Sequence, residues 1–185
     1  MSKLRNEIRT RMKAWRAALT NDQLRQKAIR LTEMLVERES YKQAKHIGFY
    51  YPLPGELDTR DILTLSRKKE KVAYLPVIVS GYCVLQFLAY GCETDLVQGH
   101  YNILEPHKSS QAIPVSDLDL LLVPCLAIDK RGYRLGFGKG WYDKTIGLSR
   151  GEKMPVILFM AYQENLVESC YPHKHDIQAD EVLLV

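Results

Sequence analysis

The sequence predicts an α/β fold: a single-domain open sheet, mostly parallel with one β-hairpin, with helices on both faces and Rossmann-like layering. Amphipathic stretches at helical spacing alternate along the chain with short apolar runs. Several of these runs are almost continuously apolar, which is typical of strands buried on both faces. The length of 185 residues suits one domain, so residues 1–185 are expected to form a single unit.

Three helices are predicted in the first part of the chain. The first has a basic face and covers residues 3–18. The second begins at a capping box, in which Thr20 is followed three residues later by Gln23. Its apolar positions follow at helical spacing and are Leu24, Ala28, Leu31 and Leu35. Asp58 is expected to cap a third helix that extends to about Lys69.

Apolar runs predict the strands. They cover residues 46–51, 71–79, 83–90, 118–124, 155–162 and 181–185. A short turn at Ser80 and Gly81 joins the second and third runs as a hairpin, and Pro76 indicates an edge or a bulge within the second. Residues 93–114 are expected to be loop-rich, and a further helix is expected over residues 141–148.

Composition restricts the function classes. The net charge of +4 favours anionic partners only weakly. No apolar run reaches 18 residues, so no membrane partner is expected. The cysteines form no C-x-x-C pair and no zinc-like spacing with histidine, which favours reduced thiols and a cytoplasmic location. The basic N-terminus leaves a transit peptide open, although Glu7 argues against one.

The stretch RLGFGKGWYD, residues 134–143, is the strongest candidate for a site. Gly136, Gly138 and Gly140 have no side chains to block a ligand and can adopt positive φ, so their N–H groups can form an anion nest. The N-terminus of the following helix adds partial positive charge, and Arg134 and Lys139 add full charges. A polyphosphate at the end of the strand over 118–124 fits this pattern.

The same residues also allow a plainer interpretation. Glycine clusters often mark turns, and this stretch is neither a Walker A motif nor a dinucleotide fingerprint. Asp143 could be an acid of a first helical turn, and Trp141 and Tyr142 could belong to the core. By themselves the residues indicate an anion site, with or without a metal.

A longer pattern around the glycines resembles a known family. DKRGYRLGFGKGWYD, residues 129–143, is similar to the signature of 5-formyltetrahydrofolate cyclo-ligases. Other segments resemble that family in the same order along the chain: Leu4-Arg5, YYPLPGELDT at 50–59, ILEP at 103–106, VPCLAID at 123–129 and His175-Asp176. The resemblance therefore extends over nearly the whole chain.

The resemblance implies a reaction. Enzymes of this family use MgATP to convert 5-formyltetrahydrofolate to 5,10-methenyltetrahydrofolate, with release of ADP and phosphate. The γ-phosphoryl group activates the formyl oxygen as an iminium phosphate, and N10 of the folate then closes the ring. The implied partners are ATP and the folate, with or without a polyglutamate tail, and the implied cofactor is Mg²⁺. No nucleic acid is implied, and a monomer is expected.

The resemblance also implies residue roles. Arg134 and Lys139 are the predicted catalytic residues. The predicted ATP-binding residues are Lys3, Arg5, Arg134, Leu135, Gly136, Phe137, Gly138, Lys139, Gly140, Trp141 and Tyr142. The predicted folate-binding residues are Tyr51, Glu56, Phe137, Gly138, Lys139, Gly140, Trp141 and Tyr142. Asp143 and Asp176 are the predicted magnesium ligands.

Two other function classes remain open at this point. One is a different α/β enzyme that uses ATP or a sugar phosphate and shares only the phosphate site. The other is an RNA-binding protein that uses the basic first helix with Trp15. ATP hydrolysis that depends on folate would distinguish a cyclo-ligase from the first class. Tight, salt-sensitive nucleic-acid binding would identify the second class.

Overall fold

The computed structural model describes residues 2–79, 81–92, 96–100, 103–107, 109–149 and 153–185. The helices in these ranges are α1 (Ser2–Ala17), α2 (Asn21–Val36), α3 (Glu39–Gln43), α4 (Arg60–Lys68) and α5 (Trp141–Leu148). The strands in the first half are β1 (His46–Gly48), β2 (Val72–Val79), β3 (Val84–Ala89), β4 (Leu96–Gln98), β5 (Leu104–Pro106) and β6 (Ala112–Ile113). Those in the second half are β7 (Leu120–Pro124), β8 (Ala127–Asp129), β9 (Arg134–Leu135), β10 (Val156–Ala161), β11 (Leu166–Val167) and β12 (Glu181–Leu184).

The main sheet of the described residues has seven strands in the order β12-β10-β7-β1-β2-β3-β6. The first five run parallel to one another, and β3 is antiparallel both to β2 and to β6. This confirms the predicted class, a mostly parallel α/β sheet with a hairpin. Ser80, half of the predicted hairpin turn, lies outside the described residues; Gly81 has the left-handed φ of 85° that a tight turn favours.

Helices cover both faces of this sheet, and β7 shows why its sequence is continuously apolar. Leu120 and Leu122 pack into the cluster that contains the buried side chains of α2 and α4. Leu121 and Val123 point the other way, into the cluster that contains Ile146 of α5. Because successive strand residues alternate between faces, a strand covered on both sides needs apolar residues at every position.

The helix boundaries agree closely with the predicted ones. The Thr20 hydroxyl accepts the Gln23 N–H at 3.2 Å and the Gln23 side chain accepts the Thr20 N–H at 2.9 Å, which confirms the capping box. The prediction for α4 was wrong by one residue, since Thr59 occupies the N-cap position. Asp58 lies just before it, yet its carboxylate still accepts the Arg60 N–H at 2.9 Å. Helix α3 was not predicted, because five residues are too few to show a period.

Some strand predictions need correction. The first strand ends at Gly48, so Tyr50 and Tyr51 lie beyond the carboxyl edge of the sheet. β2 is not an edge strand, but it pairs with β1 only over residues 72–74, so Pro76 needs no hydrogen-bond partner on that side. The stretch expected to be loop-rich contains the short strands β4, β5 and β6.

A second, three-stranded sheet, in the order β11-β8-β9, was missed by sequence reasoning. Its strands β8 and β9 lie between β7 and α5 in the chain, and β9 ends at Leu135, directly before the glycine stretch, whereas β11 follows β10. Asp129 at its turn is 1% exposed and accepts the N–H groups of Arg131, Tyr133 and Cys170 at 3.0–3.1 Å. The glycine stretch therefore starts from a rigid strand pair rather than from a long loop.

No helix among the described residues is long and apolar enough to span a membrane. No disulfide joins the cysteines, all of which lie within the described ranges. Burial raises the pKa of the Cys125 and Cys170 thiols to about 12, so both stay protonated at neutral pH.

Candidate active site

A cavity of about 400 Å³ opens at the carboxyl edge of the main sheet. Pro124 at the end of β7 and Tyr50 after β1 form its floor, which is the expected position for a ligand in an open α/β sheet. The glycine stretch and α1 supply further parts of its wall. The volume lies in the range that holds a nucleotide end or a fused-ring ligand.

The glycine stretch, defined here as residues 136–140 and called the glycine loop, borders this cavity over its whole length. Gly138 and Gly140 have φ angles of 100° and 69°, a region that residues with side chains rarely adopt. A Cβ on Gly136 or Gly140 would meet no atom within 4 Å, so both face open space. Gly140 is the N-cap of α5, and this brings the first N–H groups of α5 to the cavity.

Arg134 and Asp143 form a two-bonded ion pair in the cavity wall. Nη1 and Nη2 of Arg134 donate to the two carboxylate oxygens of Asp143 at 2.9 and 3.0 Å. The guanidinium also stacks 4.6 Å from the ring centre of Phe159, and its side chain is 5% exposed. Asp143 therefore fixes the orientation of the Arg134 guanidinium in the cavity wall and balances its charge.

Arg5 and Asp176 form a second ion pair on the same wall. Nη1 of Arg5 donates to Oδ2 of Asp176 at 2.6 Å and to the carbonyl oxygen of Tyr171 at 2.9 Å. Burial would raise the pKa of Asp176, but the bonds from Arg5 and from the His173 N–H lower it below its usual value. Arg5 is 8% exposed, so it is not the solvated surface arginine that an isolated basic helix would suggest.

Arg9 is a cavity residue that sequence reasoning missed. Its Nε donates to the carbonyl oxygen of Gly136 at 2.9 Å, and its Cζ would lie 3.5 Å from a Cβ placed on Gly138. Burial and the neighbouring Arg5 lower the pKa of Arg9. The signal that could have found it is the four-residue spacing from Arg5, which puts both side chains on one face of α1.

The remaining predicted phosphate-side residues differ in position. Lys139 is exposed on the glycine loop, faces the cavity, and has no ion-pair partner among the residues that the structure describes. Phe137 is 46% exposed with Lys13 above its ring. Lys3 is exposed on α1 away from the cavity lining, and Leu135 is fully buried against α1. Neither Lys3 nor Leu135 lines the cavity, so their contacts with ATP stay predictions.

The predicted folate-side residues meet in the cavity. Tyr51, Glu56, Trp141 and Tyr142 all contribute to its lining. Glu56 is 6% exposed and its Oε2 accepts the Leu53 N–H at 3.0 Å. Burial raises the pKa of Glu56, although the bond from Leu53 and the charge of Arg16 act in the opposite direction. A buried carboxylate on an apolar wall suits the paired N–H donors of a flat heterocycle.

The loop that carries Glu56 is held firmly. The Tyr50 hydroxyl donates to the Leu57 carbonyl at 2.9 Å, and the buried Thr59 hydroxyl donates to the Tyr50 carbonyl at 2.7 Å. The Tyr162 hydroxyl donates to the Gly55 carbonyl at 3.2 Å. These bonds place the Glu56 side chain before any ligand arrives, which reduces the ordering cost of binding.

Further lining residues were given no individual role from the sequence, although several lie in the family-like segments at 50–59, 103–106 and 123–129. They are Asn6, Leu53, Pro76, Ile78, Leu85, Ile103, Leu104, Glu105, Pro124 and His173. Most are apolar, and half of them come from β2, β3 and β5, the last of which pairs antiparallel with β4. Their apolar character was visible in the sequence, but nothing local distinguishes an apolar cavity wall from ordinary core.

The donor set of the cavity fits a hard cation better than zinc. The described residues contain no group of three His, Cys, Asp or Glu side chains that could enclose a metal by themselves. Two carboxylates, those of Asp143 and Asp176, line the cavity on the phosphate side. Mg²⁺ commonly takes one or two protein carboxylates and completes its shell with waters and substrate phosphates, so both residues fit it.

The helix that suggested RNA binding turns three of its cations, Arg5, Arg9 and Arg16, towards the protein interior, while Lys3, Arg11 and Lys13 are exposed. Arg5 and Arg16 are both buried, and Trp15 packs edge-on against Tyr162 with ring centres 5.2 Å apart. A nucleic-acid-binding helix needs its cations at the surface, where they can reach phosphates. Arg5 and Arg9 therefore belong to the cavity wall, and Arg16 is buried behind it.

Comparison with known proteins agrees with the geometry. The sequence matches the 5-formyltetrahydrofolate cyclo-ligase family over residues 1–185. A Haemophilus influenzae protein named 5-formyltetrahydrofolate cyclo-ligase is 32% identical over 184 residues, which is 97% of each chain. A Mus musculus protein of the same name is 29% identical over 188 residues, covering 97% of this chain and 91% of the mouse protein.

A solved structure shows the same fold. The NMR structure of Aquifex aeolicus 5,10-methenyltetrahydrofolate synthetase superposes with a TM-score of 0.83 at 26% identity, covering 98% of this chain and 89% of the other. With a family match over its full length, this chain belongs to the 5-formyltetrahydrofolate cyclo-ligase family.

Proposed function

We propose that this protein converts 5-formyltetrahydrofolate to 5,10-methenyltetrahydrofolate, using ATP and releasing ADP and phosphate. The observation that carries the proposal is that one cavity joins a cationic, glycine-lined end to an apolar end with a buried carboxylate. The first end suits the triphosphate and the second suits the pterin. The reaction requires both in contact, because the γ-phosphoryl group is transferred directly to the folate.

The chemical difficulty is the formyl oxygen, which is a poor leaving group. In the proposed reaction this oxygen attacks the γ-phosphorus, the bond to the β-phosphate breaks, and ADP leaves. The resulting iminium phosphate has an electrophilic carbon, and N10 of the folate attacks it. The carbon–oxygen bond then breaks, phosphate leaves with the former formyl oxygen, and the N10 proton is lost to solvent. The protein's contribution is alignment and charge stabilisation.

The residues at the phosphate end suit these roles. The open faces of Gly136 and Gly140 allow close backbone approach, and Lys139 can follow the γ-phosphoryl group as a mobile point charge. Arg134 offers an oriented guanidinium whose partner Asp143 is within the same wall. Charge that grows on the transferred group would be met by groups already in place, which lowers the barrier more than it strengthens ground-state binding.

Asp143 and Asp176 are the residues that would hold Mg²⁺ in this proposal, and the ion would neutralise charge on the ATP phosphates. Each carboxylate is already oriented by an arginine and by a backbone N–H, from Ile177 for Asp143 and from His173 for Asp176. For Asp176, burial would raise the pKa but these bonds lower it overall, which favours the ionised form that a ligand for a hard cation needs.

We further propose that the enzyme acts as a cytoplasmic monomer on folates with or without a polyglutamate tail. Four free thiols, of which Cys125 and Cys170 are buried, suit a reducing compartment. Sedimentation of the purified chain at micromolar concentration would test the monomer, and a second species of twice the mass would contradict it. The turnover of mono- and polyglutamated substrates would show whether the tail matters.

The test of the reaction is direct. Purified protein is mixed with MgATP and 5-formyltetrahydrofolate, and formation of the methenyl product is followed by its near-ultraviolet absorbance together with release of ADP. Omission of either substrate serves as the control, and product must require both. ATP hydrolysis with a different acceptor and no methenyl product from folded protein would instead favour another ATP-using α/β enzyme.

Lys139→Ala tests the phosphate end. We expect weaker ATP binding and a larger loss in kcat, on the order of 100-fold, because the charge matters most during transfer. Calorimetry gives the ATP affinity and steady-state kinetics give kcat. Lys130→Ala, at an exposed position outside the cavity, is the matched control. Equal losses in affinity and kcat would limit Lys139 to ground-state binding.

A further inference from the structure

Helix α1 carries three arginines on its inward face, here called the arginine stripe. Arg5, Arg9 and Arg16 are separated by four and seven residues, which puts them on the same face of the helix. The first two lie at the phosphate end, bonded to Asp176 and to the Gly136 carbonyl. Arg16 lies two helical turns further along, beside the end of the cavity that holds Glu56.

Arg16 is buried to an unusual degree for a charged residue. It is 7% exposed, and its Nη2 donates to the carbonyl oxygen of Cys125. Its Nε and Nη1 are buried and have no hydrogen-bond partner among the described residues. Its guanidinium carbon lies 5.6 Å from the centre of the Tyr162 ring. A buried cation with so few bonds is costly unless another charge compensates it.

Glu56 is the negative charge next to Arg16. Gly55 brings the loop close to α1, because a Cβ on it would lie 3.3 Å from Cβ of Arg16. No direct ion pair joins the described side chains of Arg16 and Glu56, but the two interact electrostatically. Glu56 lines the cavity, whereas Arg16 does not, so Arg16 acts from behind the site.

We propose that Arg16 is a positioning residue that keeps the buried Glu56 carboxylate charged, so that it can accept the paired N–H donors of the folate ring. This inference rests on the proposed folate-cyclising function. Arg16 leaves the carboxylate oxygens available for the ligand because it compensates their charge without a direct bond. In this arrangement Nε and Nη1 of Arg16 lack hydrogen-bond partners within the part of the chain that the structure describes, which destabilises the fold.

The other titratable groups of the described ranges that interact with Glu56 supply no positive charge. Those that face it are Tyr50 beyond β1, Cys125 after β7, Tyr142 of α5 and Tyr162 beyond β10. Burial raises the pKa of all four, so they are neutral at physiological pH and offer no compensating charge. Arg16 is the one cation among the groups that interact with Glu56 in the described residues. Without it, the raised pKa of Glu56 would rise further.

The experiment compares folate affinity in three variants across pH. Arg16→Gln keeps a donor for the Cys125 carbonyl but removes the charge, and Arg16→Lys keeps the charge. Arg11→Gln, on the exposed face of the same helix, is the matched control for net charge. Affinity for 5-formyltetrahydrofolate is measured by calorimetry without ATP, so that no turnover occurs, and KM and kcat are measured separately.

We expect Arg16→Gln to weaken folate binding about tenfold near neutral pH, because more of the Glu56 population is then protonated and cannot accept both N–H donors. As pH rises, Glu56 ionises in the variant too, so the loss of folate affinity must become smaller at alkaline pH. ATP affinity and kcat should stay near wild type, and Arg16→Lys should restore most of the folate affinity. The folate's own titration is common to all variants and cancels.

A double-mutant cycle with Glu56→Gln separates this role from simple packing. If Arg16 acts through the carboxylate, Arg16→Gln costs nothing further once Glu56 is neutral. An equal loss in both backgrounds, or a loss that ignores pH, would overturn the proposal. A thermal melt reports whether each variant folds. Should Arg16→Gln not fold, the pH dependence of wild type against Glu56→Gln still decides, since identical profiles would also overturn it.

The failure of the inference and that of the proposed function are distinguishable. Wild-type protein that forms the methenyl product, while the cycle shows no coupling, would leave the function standing and remove only the role of Arg16. Wild-type protein that neither binds nor converts the folate would remove both.

Discussion

Two arginine–aspartate pairs dominate the phosphate end of the cavity, and their members come from distant parts of the chain. Arg134 pairs with Asp143, and Arg5 pairs with Asp176. In each pair the side chains are 19% exposed or less, so Coulomb attraction is screened far less than at a surface. The two pairs keep four charged side chains in fixed positions, where the arginines can bind phosphates and the aspartates can bind a cation.

Gly136→Ala tests whether Gly136 is required for contact with the ligand or for the conformation of the backbone. Gly136 has no positive φ and open space at its Cβ position, so an added methyl group should change Tm by less than about 2 °C. If a phosphate approaches there, ATP binding should weaken about tenfold or more, which is about 1.4 kcal/mol. Calorimetry and a thermal melt give the two quantities.

The control is Gly147→Ala, at another open glycine, within α5 and outside the cavity lining. Gly138 is less informative, because its φ of 100° strains any side chain whatever the ligand does. Normal ATP affinity in Gly136→Ala would mean that the glycine loop is a turn and not a phosphate nest.

Asp143→Asn tests the magnesium assignment. Asparagine keeps the shape but loses the charge, and Arg134 loses its counter-ion. We expect ATP binding to need more magnesium and turnover to fall about 100-fold at limiting magnesium, with partial recovery at high magnesium. Titration of ATP affinity against magnesium measures this, with the exposed Asp117→Asn as control. A wild-type magnesium dependence would restrict Asp143 to positioning Arg134.

At the scale of elements, the small β11-β8-β9 sheet determines where the glycine loop begins, and Asp129 holds its turn. Burial would raise the pKa of Asp129, but N–H donors from Cys170 and Tyr133 and the Arg131 guanidinium lower it overall. Because the folded pKa is depressed, this carboxylate stabilises the protein above its unfolded pKa, and that stability is lost as pH falls through the folded value.

Asp129→Asn should therefore destabilise the protein at pH 7 by about 2–3 kcal/mol, since an amide NH₂ would face N–H donors. The difference from wild type should shrink in acid, as pH falls through the lowered pKa of Asp129 and the native carboxyl also becomes protonated. Urea denaturation at pH 7 and in acid measures it. A difference that stays constant with pH would show that shape, and not charge, holds the turn.

At the scale of the whole molecule, the cavity is assembled from nearly every region of the chain. α1, the segment after β1, the β4–β5 pair, the glycine loop and the segment before β12 all contribute. Ligands should therefore stabilise the domain as one unit. A non-hydrolysable ATP analogue at 100 times its Kd should add about 2.7 kcal/mol and raise Tm by roughly 5–10 °C in a single transition.

Trypsin digestion provides a second measurement of the same prediction. Arg11 and Lys13 are exposed on α1 and offer cleavage sites next to the arginine stripe. The analogue should slow cleavage there, because local opening of α1 would release the bound ligand. Two separate thermal transitions, only one of which moves with ligand, would contradict the assembly of the cavity as one unit.

The sequence by itself determined the class of the main sheet, its hairpin, the capping box of α2 and the family. Each of these depends on a local signal: continuous apolar runs, the Thr20–Gln23 spacing, and the glycine signature over 129–143. Local patterns suffice here because backbone periodicity and positive φ are properties of neighbouring residues.

Only the tertiary structure decided the β8–β9 pair, the arginine stripe of α1 and the ion pairs of the cavity. A two-residue strand shows no period, and it exists because a distant strand satisfies its hydrogen bonds. An arginine in a basic helix has the same local sequence whether it is solvated or buried. Arg9 and Arg16 acquire their positions from partners far along the chain, Gly136 and Cys125, which burial of α1 brings within bonding distance.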